Sequence, residues 1–276
     1  MSKIFDLSNT TERGDGIVAA KTALNDDELV VFPTDTVYGV AADAFSKIGV
    51  KILLAAKARG TNFPPPVLIS RQETAAALAA EITEDAQKLM DEFWPGPLTL
   101  IFKSQPSLTW DLGETHGTVA LRVPDQKDAL ELLTFCGPLA VSSANRHGFE
   151  AATTIEQAHE QLGEAVAVYL DGGDLGADQE SSTIVDTTQT PFKVVRAGAL
   201  SLDSLQNIVP SIVDSNTENQ VIDDNSTEEQ VELENTSEEK TEEVKNTIEE
   251  KSEVEKEIAQ PVEHETEGVA NETEQD

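Results

Sequence analysis

The sequence FPTDTVYGVAAD occupies residues 32–43 and is the best guide to the fold and function of this chain. A short apolar run, residues 29–31, precedes it, and Thr34, Thr36 and Tyr38 come before Gly39. An apolar run that gives way to Pro, Thr and Gly predicts a buried strand ending in a polar turn. Such turns expose hydroxyl and backbone N–H groups that commonly contact ligands. We therefore expect part of a binding site here.

Helices and strands are predicted in alternation along the chain. One helix is expected to begin at Ser46 and stop at Gly60, and another to open with a capping box formed by Thr153 and Glu156. The helices are expected at residues 17–24, 46–58, 73–80, 83–93, 125–135, 153–162 and 201–209. The strands are expected at residues 29–32, 67–69, 98–102, 118–123, 139–141, 167–170, 183–185 and 193–196. This interleaving favours a mixed α/β sheet domain over a β-sandwich or a helical bundle.

Composition divides the chain into two parts. The 276 residues carry a formal net charge of −33, and residues 210–276 alone contain 23 acidic and four basic residues and no aromatic residue. Such a segment buries too little apolar area to offset the entropy of ordering it, so we expect residues 210–276 to be an acidic, disordered tail. Residues 1–209 are enough for one domain with a substantial core.

Cysteine content and hydropathy bound the cellular setting. The single cysteine, Cys136, excludes an intramolecular disulfide and indicates a reducing compartment. No run of 18 apolar residues is present, so we expect a soluble, cytoplasmic protein that does not enter a membrane. The acidic balance disfavours broad binding to nucleic-acid phosphates.

Several common kinds of site are excluded because their motifs are missing. The chain has neither a GxxxxGKS/T loop nor a GxGxxG turn after a strand, so neither type of phosphate-binding loop is supported. The four histidines lack the spacing of metal ligands. Cys136 lies in an apolar stretch, which favours a buried structural thiol over a catalytic one.

The remaining candidates are cations, hydroxyls and one amide at the ends of predicted elements. Lys57 and Arg59 end a helix, where ordinary exposed basic residues are the alternative interpretation. Ser143 and Asn145 follow an apolar run, where a polar turn closed by its own Asx-type hydrogen bond is the alternative. The other candidates are Arg122, Ser182 and Arg196, all near strand ends. Cations that hold phosphates and an arginine that holds a carboxylate suit an enzyme acting on a nucleoside triphosphate and an amino acid, although salt bridging explains most single arginines.

Eight segments in order resemble the YrdC/Sua5 family, the threonylcarbamoyl-AMP synthases. Lys57, Arg59, Ser143 and Asn145 complete the KxR…SxN signature of that family. The resemblance spans about residues 14–209. The matching segments are FPTDTVYGVAADA (32–44), KARG (57–60), FWPGPLTLIF (93–102), GTVALRVPD (117–125), GPLAVSSAN (137–145), LDGG (170–173), STIVD (182–186) and VVRAGAL (194–200).

The resemblance implies a fold and a reaction. The expected fold is an open twisted mixed sheet with flanking helices around a concave, positively charged cavity. The expected reaction converts L-threonine, bicarbonate and ATP, with Mg²⁺ on the phosphates, into threonylcarbamoyl-AMP and pyrophosphate. The product would serve N6-threonylcarbamoylation of adenosine 37 in tRNA, with partner proteins of the TsaD, TsaB and TsaE type. Direct contact with tRNA is left open.

The resemblance also assigns roles to individual residues. Lys57 and Arg59 are the expected catalytic residues. The expected ATP contacts are Arg59, Thr118, Ser143, Asn145 and Arg196, and the expected L-threonine contacts are Thr36, Arg122 and Ser182.

Three positions depart from the family pattern, and two other functions remain as alternatives. Phe63 replaces a Lys or Asn of many members, Leu68 a His of some, and Ala151 a usual Ser, so single substrate contacts are expected to weaken. One alternative is a module for double-stranded RNA binding or ribosome maturation on the same fold, which the acidic charge disfavours. The other is a YciO-like paralogue with different chemistry, which the intact signature disfavours.

Overall fold

The structure is a computed structural model, and it describes residues 1–215 of the 276. Over these residues, eleven strands form one sheet in the order β1-β8-β2-β3-β7-β4-β6-β5-β9-β10-β11. The strands are β1 Lys3–Asp6, β2 Val30–Phe32, β3 Gly39–Asp43, β4 Val67–Leu68, β5 Leu98–Lys103, β6 Thr118–Arg122, β7 Leu139–Ser143, β8 Val168–Asp171, β9 Thr183–Asp186, β10 Lys193–Arg196 and β11 Val213–Asp214. Five strand pairs are parallel and five antiparallel, which confirms the expected mixed sheet.

Helices cover the sheet and supply most of its core. They are α1 Thr10–Asn25, α2 Lys47–Ala56, α3 Ala75–Leu78, α4 Glu84–Phe93, α5 Lys127–Cys136, α6 Ile155–Leu162 and α7 Leu202–Gln206. On one face, α1 and α5 bury Leu24 and Leu133 against β2, β7 and β8. On the opposite face, α2, α4 and α6 contribute to the larger apolar cluster. None of the helices described here is both long and apolar enough to cross a membrane.

Local capping explains where several helices begin. Asn9 accepts hydrogen bonds from the backbone N–H groups of Thr11 and Glu12, which starts α1 well before the predicted residue 17. Ser46 caps α2 as predicted. The predicted capping box of α6 was wrong by one residue, because Thr154 and Gln157 form it in place of Thr153 and Glu156.

The end of α2 differs from the prediction in a way that shapes the site. The helix stops at Ala56 with Lys57 as its C-cap, so Gly60 is not the stop. Ala58 has φ of +52°, a left-handed conformation that costs a residue other than glycine about 1–2 kcal/mol. Arg59 N–H then donates to the carbonyl of Leu54, which closes the turn. This turn separates the directions in which Lys57 and Arg59 point.

Three strands were not predicted. β1 is short and largely exposed, and β3 continues from the polar turn as a nearly buried strand between β2 and β7. β11 lies beyond Val209, the expected end of the domain, and pairs in parallel with β10, while Ile212 is completely buried. The fold therefore includes residues to Asp214. Disorder was expected for residues 210–276, and residues 216–276 lie outside the described part of the chain.

Candidate active site

A cavity of about 730 Å³ lies on the same face of the sheet as α1 and α5. The two helices cover one end of this face, and the cavity opens at the other end. Side chains on a strand alternate between faces, so Thr118, Ala120 and Arg122 of β6 all point to this side. Ile184 of β9 pairs with both Thr99 of β5 and Arg196 of β10, which places their side chains on the same face. The sheet register therefore brings four strands together as the floor of the cavity.

Arg122 is the most firmly held cation of the cavity. Its guanidinium donates from Nε to the carbonyl of Gly96 at 2.9 Å and from Nη1 to Thr36 Oγ1 at 3.1 Å. Its Nη2 forms an ion pair with Asp35 Oδ1 at 2.6 Å. Burial lowers the pKa of Arg122, and the Asp35 carboxylate opposes that effect. The arrangement fixes a charged, planar donor at the cavity floor.

The hydroxyls of the first polar turn form a directed chain. Thr34 donates its hydroxyl proton to the carbonyl of Val37 at 2.7 Å, so it acts as acceptor for Thr36 Oγ1 at 3.0 Å. Thr36 in turn accepts from Arg122. The Thr36 hydroxyl is thereby oriented, with one lone pair left for a ligand.

Arg59 and Arg196 differ from Arg122 because, within residues 1–215, neither has an ion pair with a carboxylate. Arg59 donates to Ser142 Oγ at 3.3 Å, and its buried Nε lacks a hydrogen-bond partner there. Arg196 donates to the carbonyl of Ser182 at 2.6 Å and to its hydroxyl at 3.0 Å. Burial lowers the pKa of both, and the charges of Arg122 and Arg59 further lower the pKa of Arg196. Such uncompensated guanidinium groups indicate a site for an anion.

Lys57 and Asn145 lie behind the wall of the cavity. Lys57 is completely buried, and its Nζ donates to the carbonyls of Ser143 and Asn145 and to Asn145 Oδ1. Asn145 also donates from Nδ2 to the carbonyls of Arg146, at 3.0 Å, and Phe149, at 2.7 Å. The alternative of an exposed helix-end lysine is therefore wrong. Asn145 does bind its own loop, but through Nδ2 to two carbonyls in place of the Asx-type bond. Both side chains hold the loop after β7 and are absent from the cavity lining.

Burial, followed by the charge of Arg59, lowers the pKa of Lys57 to about 7. The three oxygen acceptors around Nζ favour the ammonium form and keep it hydrogen-bonded. Lys57 thus links the end of α2 to the loop that carries Ser143, and the backbone N–H of His147 donates to the Lys57 carbonyl at 2.9 Å.

The remaining predicted hydroxyls do face the cavity. Thr118 donates to the carbonyl of Thr115 at 2.7 Å, and Ser182 shares a hydrogen bond of 2.8 Å with Thr99. Ser143 lines the cavity at the end of β7. The turn after β10 requires Gly198, because a Cβ there would collide with the carbonyl of Ser181. The structure therefore gathers seven of the nine predicted residues at one cavity: Thr36, Arg59, Thr118, Arg122, Ser143, Ser182 and Arg196.

Other features of the site include residues that the sequence interpretation missed or placed differently. Phe63 and Leu68 both contribute to the apolar wall, so two of the departures do lie at the cavity. Asp35 was missed, although its position between two threonines of the opening motif was a signal. Cys136 is only partly buried, and burial raises the pKa of its thiol to about 11, which suits an unreactive cysteine.

The residues around the cavity do not form a metal site of their own. Residues 1–215 contain no group of three or more His, Cys, Asp or Glu side chains placed to bind a metal ion. Asp35 is already paired with Arg122.

Comparison with known proteins agrees with this geometry. The model of the Sua5/yciO/yrdC family, described as telomere recombination, matches residues 22–198. The chain belongs to this family. A family relative from Mycobacterium leprae is 46% identical over 209 residues, covering 76% of this chain and 94% of that protein.

Solved structures of the family share the fold. Sua5 of Pyrococcus abyssi, complexed with L-threonine, has a TM-score of 0.71 and 31% identity, covering 77% of this chain and 62% of that one. This chain thus spans less than two thirds of the archaeal protein. Escherichia coli YciO has a TM-score of 0.66 at 22% identity, covering 74% of this chain and 100% of that one, and shows the fold alone.

Proposed function

We propose that this chain is an L-threonylcarbamoyladenylate synthase, a nucleotidyltransferase that uses L-threonine, bicarbonate and ATP. The single observation that carries the proposal is the difference between the cavity arginines: among residues 1–215, Arg59 and Arg196 have no carboxylate partner, whereas Arg122 is paired with Asp35 and oriented. Unpaired guanidiniums suit a polyphosphate, and an oriented one suits a carboxylate. The P. abyssi relative is named threonylcarbamoyl-AMP synthase, and its solved complex contains L-threonine.

The reaction would proceed in two steps. The threonine amine attacks bicarbonate, forming an N–C bond and releasing water, which leaves a carbamate. A carbamate oxygen then attacks the α-phosphorus of ATP, and the bond from that phosphorus to the bridging oxygen breaks to release pyrophosphate. Rate enhancement would come from positioning and from stabilising charge at phosphorus, without a covalent enzyme intermediate.

Each cavity residue has a role in this proposal. Arg122 and Thr36 hold the threonine, with Ser182 beside them. The residues proposed to contact ATP are Arg59, Thr118, Ser143 and Arg196. Guanidinium groups offset the repulsion between the carbamate and the phosphates, two anions that must approach each other. Mg²⁺, entering with ATP, would supply further neutralisation of the phosphate charge.

Lys57 and Asn145 act indirectly in this proposal, in contrast to the contact roles expected from the signature. They hold the end of β7 that presents Ser143, since Lys57 Nζ donates to the Ser143 carbonyl and to both oxygens of Asn145. The product would be passed to proteins of the TsaD, TsaB and TsaE type for modification of tRNA adenosine 37. A cytoplasmic location stays a prediction.

The test is threonine-dependent pyrophosphate release. Purified protein with ATP, bicarbonate and Mg²⁺ should release pyrophosphate when L-threonine is added and should yield threonylcarbamoyl-AMP by mass spectrometry. Arg59→Ala should abolish this release. Arg13→Ala is the matched control, because Arg13 pairs with Asp128 and Glu131 on α5. Release that does not depend on threonine would refute the proposal, and double-stranded RNA binding without turnover would favour the RNA-binding alternative.

A further inference from the structure

Asp35 has a relation to the cavity that the family signature does not describe. Its Oδ1 lies 2.6 Å from Arg122 Nη2, and the two side chains are only 11% and 6% exposed. The other cavity guanidiniums, on Arg59 and Arg196, have no carboxylate partner within residues 1–215. Asp35 therefore acts on one particular cation of the three.

The donors of Arg122 can be counted. An arginine has five N–H groups: one on Nε and two on each Nη. Three are taken, by the Gly96 carbonyl, Thr36 Oγ1 and Asp35 Oδ1. Within the described part of the chain, one N–H remains on Nη1 and one on Nη2. A carboxylate has two oxygens and can accept hydrogen bonds from two nitrogen atoms of one guanidinium.

The direction of that remaining pair depends on the three occupied donors. One hydrogen bond from each of Nε, Nη1 and Nη2 restrains the guanidinium at all three of its nitrogen atoms. Of these three acceptors, only Asp35 carries a charge, so its hydrogen bond is the strongest restraint. A donor pair held in place before binding loses less side-chain entropy when the ligand arrives.

We propose that Asp35 is a positioning residue for amino-acid recognition: it holds Nη2 of Arg122 so that the two remaining N–H groups receive the carboxylate of the amino-acid substrate. The substrate and Asp35 then share one guanidinium through different N–H groups, and neither displaces the other. This inference rests on the proposed function, since it assumes that an amino acid occupies the cavity.

The test uses two substitutions of Asp35 and a matched pair elsewhere. Asp35→Asn keeps an oxygen acceptor but removes the charge, and Asp35→Ala removes both. Asp128 provides the control. Asp128→Asn and Asp128→Ala remove a carboxylate that forms an ion pair of 2.7 Å with Arg13, between α5 and α1. The readouts are the Kd for L-threonine by calorimetry, the KM for ATP and the melting temperature.

We expect Asp35→Ala to weaken L-threonine binding by about 10- to 100-fold and Asp35→Asn by about 3- to 10-fold. The KM for ATP should stay within about twofold in both variants. The Asp128 variants should leave both constants unchanged, even where they lower the melting temperature. This split separates positioning of the amino acid from a general loss of structure.

Unchanged threonine binding in both Asp35 variants would overturn the inference. Tighter binding would overturn it too, because it would mean that Asp35 competes with the substrate carboxylate. If the unaltered protein binds L-threonine but releases no pyrophosphate, and the Asp35 variants still lose that binding, the proposed function fails while this inference stands. If both Asp35 variants show normal turnover and normal L-threonine binding, this inference is wrong and the proposed function stands.

Discussion

Replacing Arg122 with alanine should remove stability as well as activity, whereas replacing Arg59 should remove activity alone. The contrast follows from their partners. Arg122 is buried and paired with Asp35, so Arg122→Ala leaves a carboxylate that is 11% exposed without its counter-ion. Breaking a buried pair in this way costs about 3–5 kcal/mol. The Arg59 side chain has no carboxylate partner in the described part of the chain and makes one hydrogen bond there, of 3.3 Å.

The neighbouring cavity sets the expected size of the effect. Because the cavity admits water to Asp35 once the guanidinium is gone, we take the lower end of that range, about 3 kcal/mol. In a domain of this size, such a loss lowers the melting temperature by about 6–12 °C. Arg59→Ala should change the unfolding free energy by less than about 0.5 kcal/mol, since removal of a desolvated charge offsets the lost hydrogen bond.

The assay pairs thermal unfolding with threonine-dependent pyrophosphate release. Both single variants should lose the release. The double variant Asp35→Ala/Arg122→Ala should regain part of the stability lost in Arg122→Ala, because the unpaired carboxylate is gone, and the thermodynamic cycle gives the coupling. Equal melting temperatures for Arg122→Ala and the unaltered protein would refute the stabilising role of the buried Arg122–Asp35 ion pair. A fall of more than about 5 °C for Arg59→Ala would show that Arg59 is structural.

Two further predictions concern Lys57 and the end of the fold. The pKa of Lys57 is about 7 in the folded protein and ordinarily 10.5, so between these pH values the unfolded state binds more protons. The free energy of unfolding should therefore rise with pH in this range, by at most about 1.4 kcal/mol per pH unit. Urea unfolding should show this slope, and an equal slope in Lys57→Met would contradict the assignment. A chain ending at Val209 loses the buried Ile212 and β11. It should be less stable by about 2 kcal/mol, and should bind ATP more weakly, than a chain ending at Ser215. The chain ending at Ser215 should match the full chain in both calorimetry and turnover.

Much of the cavity was predictable because its cationic and hydroxyl side chains stand on predicted strands or directly after them. Arg122 and Arg196 were placed near the ends of predicted strands, and Ser143 just after another. In the sheet, β6 and β10 run in the same direction and β7 runs in the opposite one, so the cavity extends along the face of the sheet between its two edges. The mixed α/β character followed from the alternation of apolar runs with helical spacing. Their roles in substrate binding remain predictions.

What could not be predicted depended on single backbone angles and on distant pairs. The direction of Lys57 depends on the left-handed Ala58, and alanine carries no sequence signal for that conformation. The pairing of Asp35 with Arg122 joins residues 87 positions apart, beyond any local pattern. β11 was missed because its few apolar residues stand at the start of a strongly acidic segment, whose composition argued against order.

The different roles of Lys57 and of the cavity arginines have a chemical reason. An ammonium group withdrawn from water is readily neutralised, and burial beside Arg59 lowers the pKa of Lys57 to about 7. Without a ligand, Lys57 is therefore about half neutral near neutral pH. A guanidinium stays protonated in proteins, so Arg59 and Arg196 keep their charge although burial lowers the pKa of both. The fold uses its desolvated lysine to hold backbone carbonyls behind the cavity wall, and it presents to the ligand the cations that keep their charge.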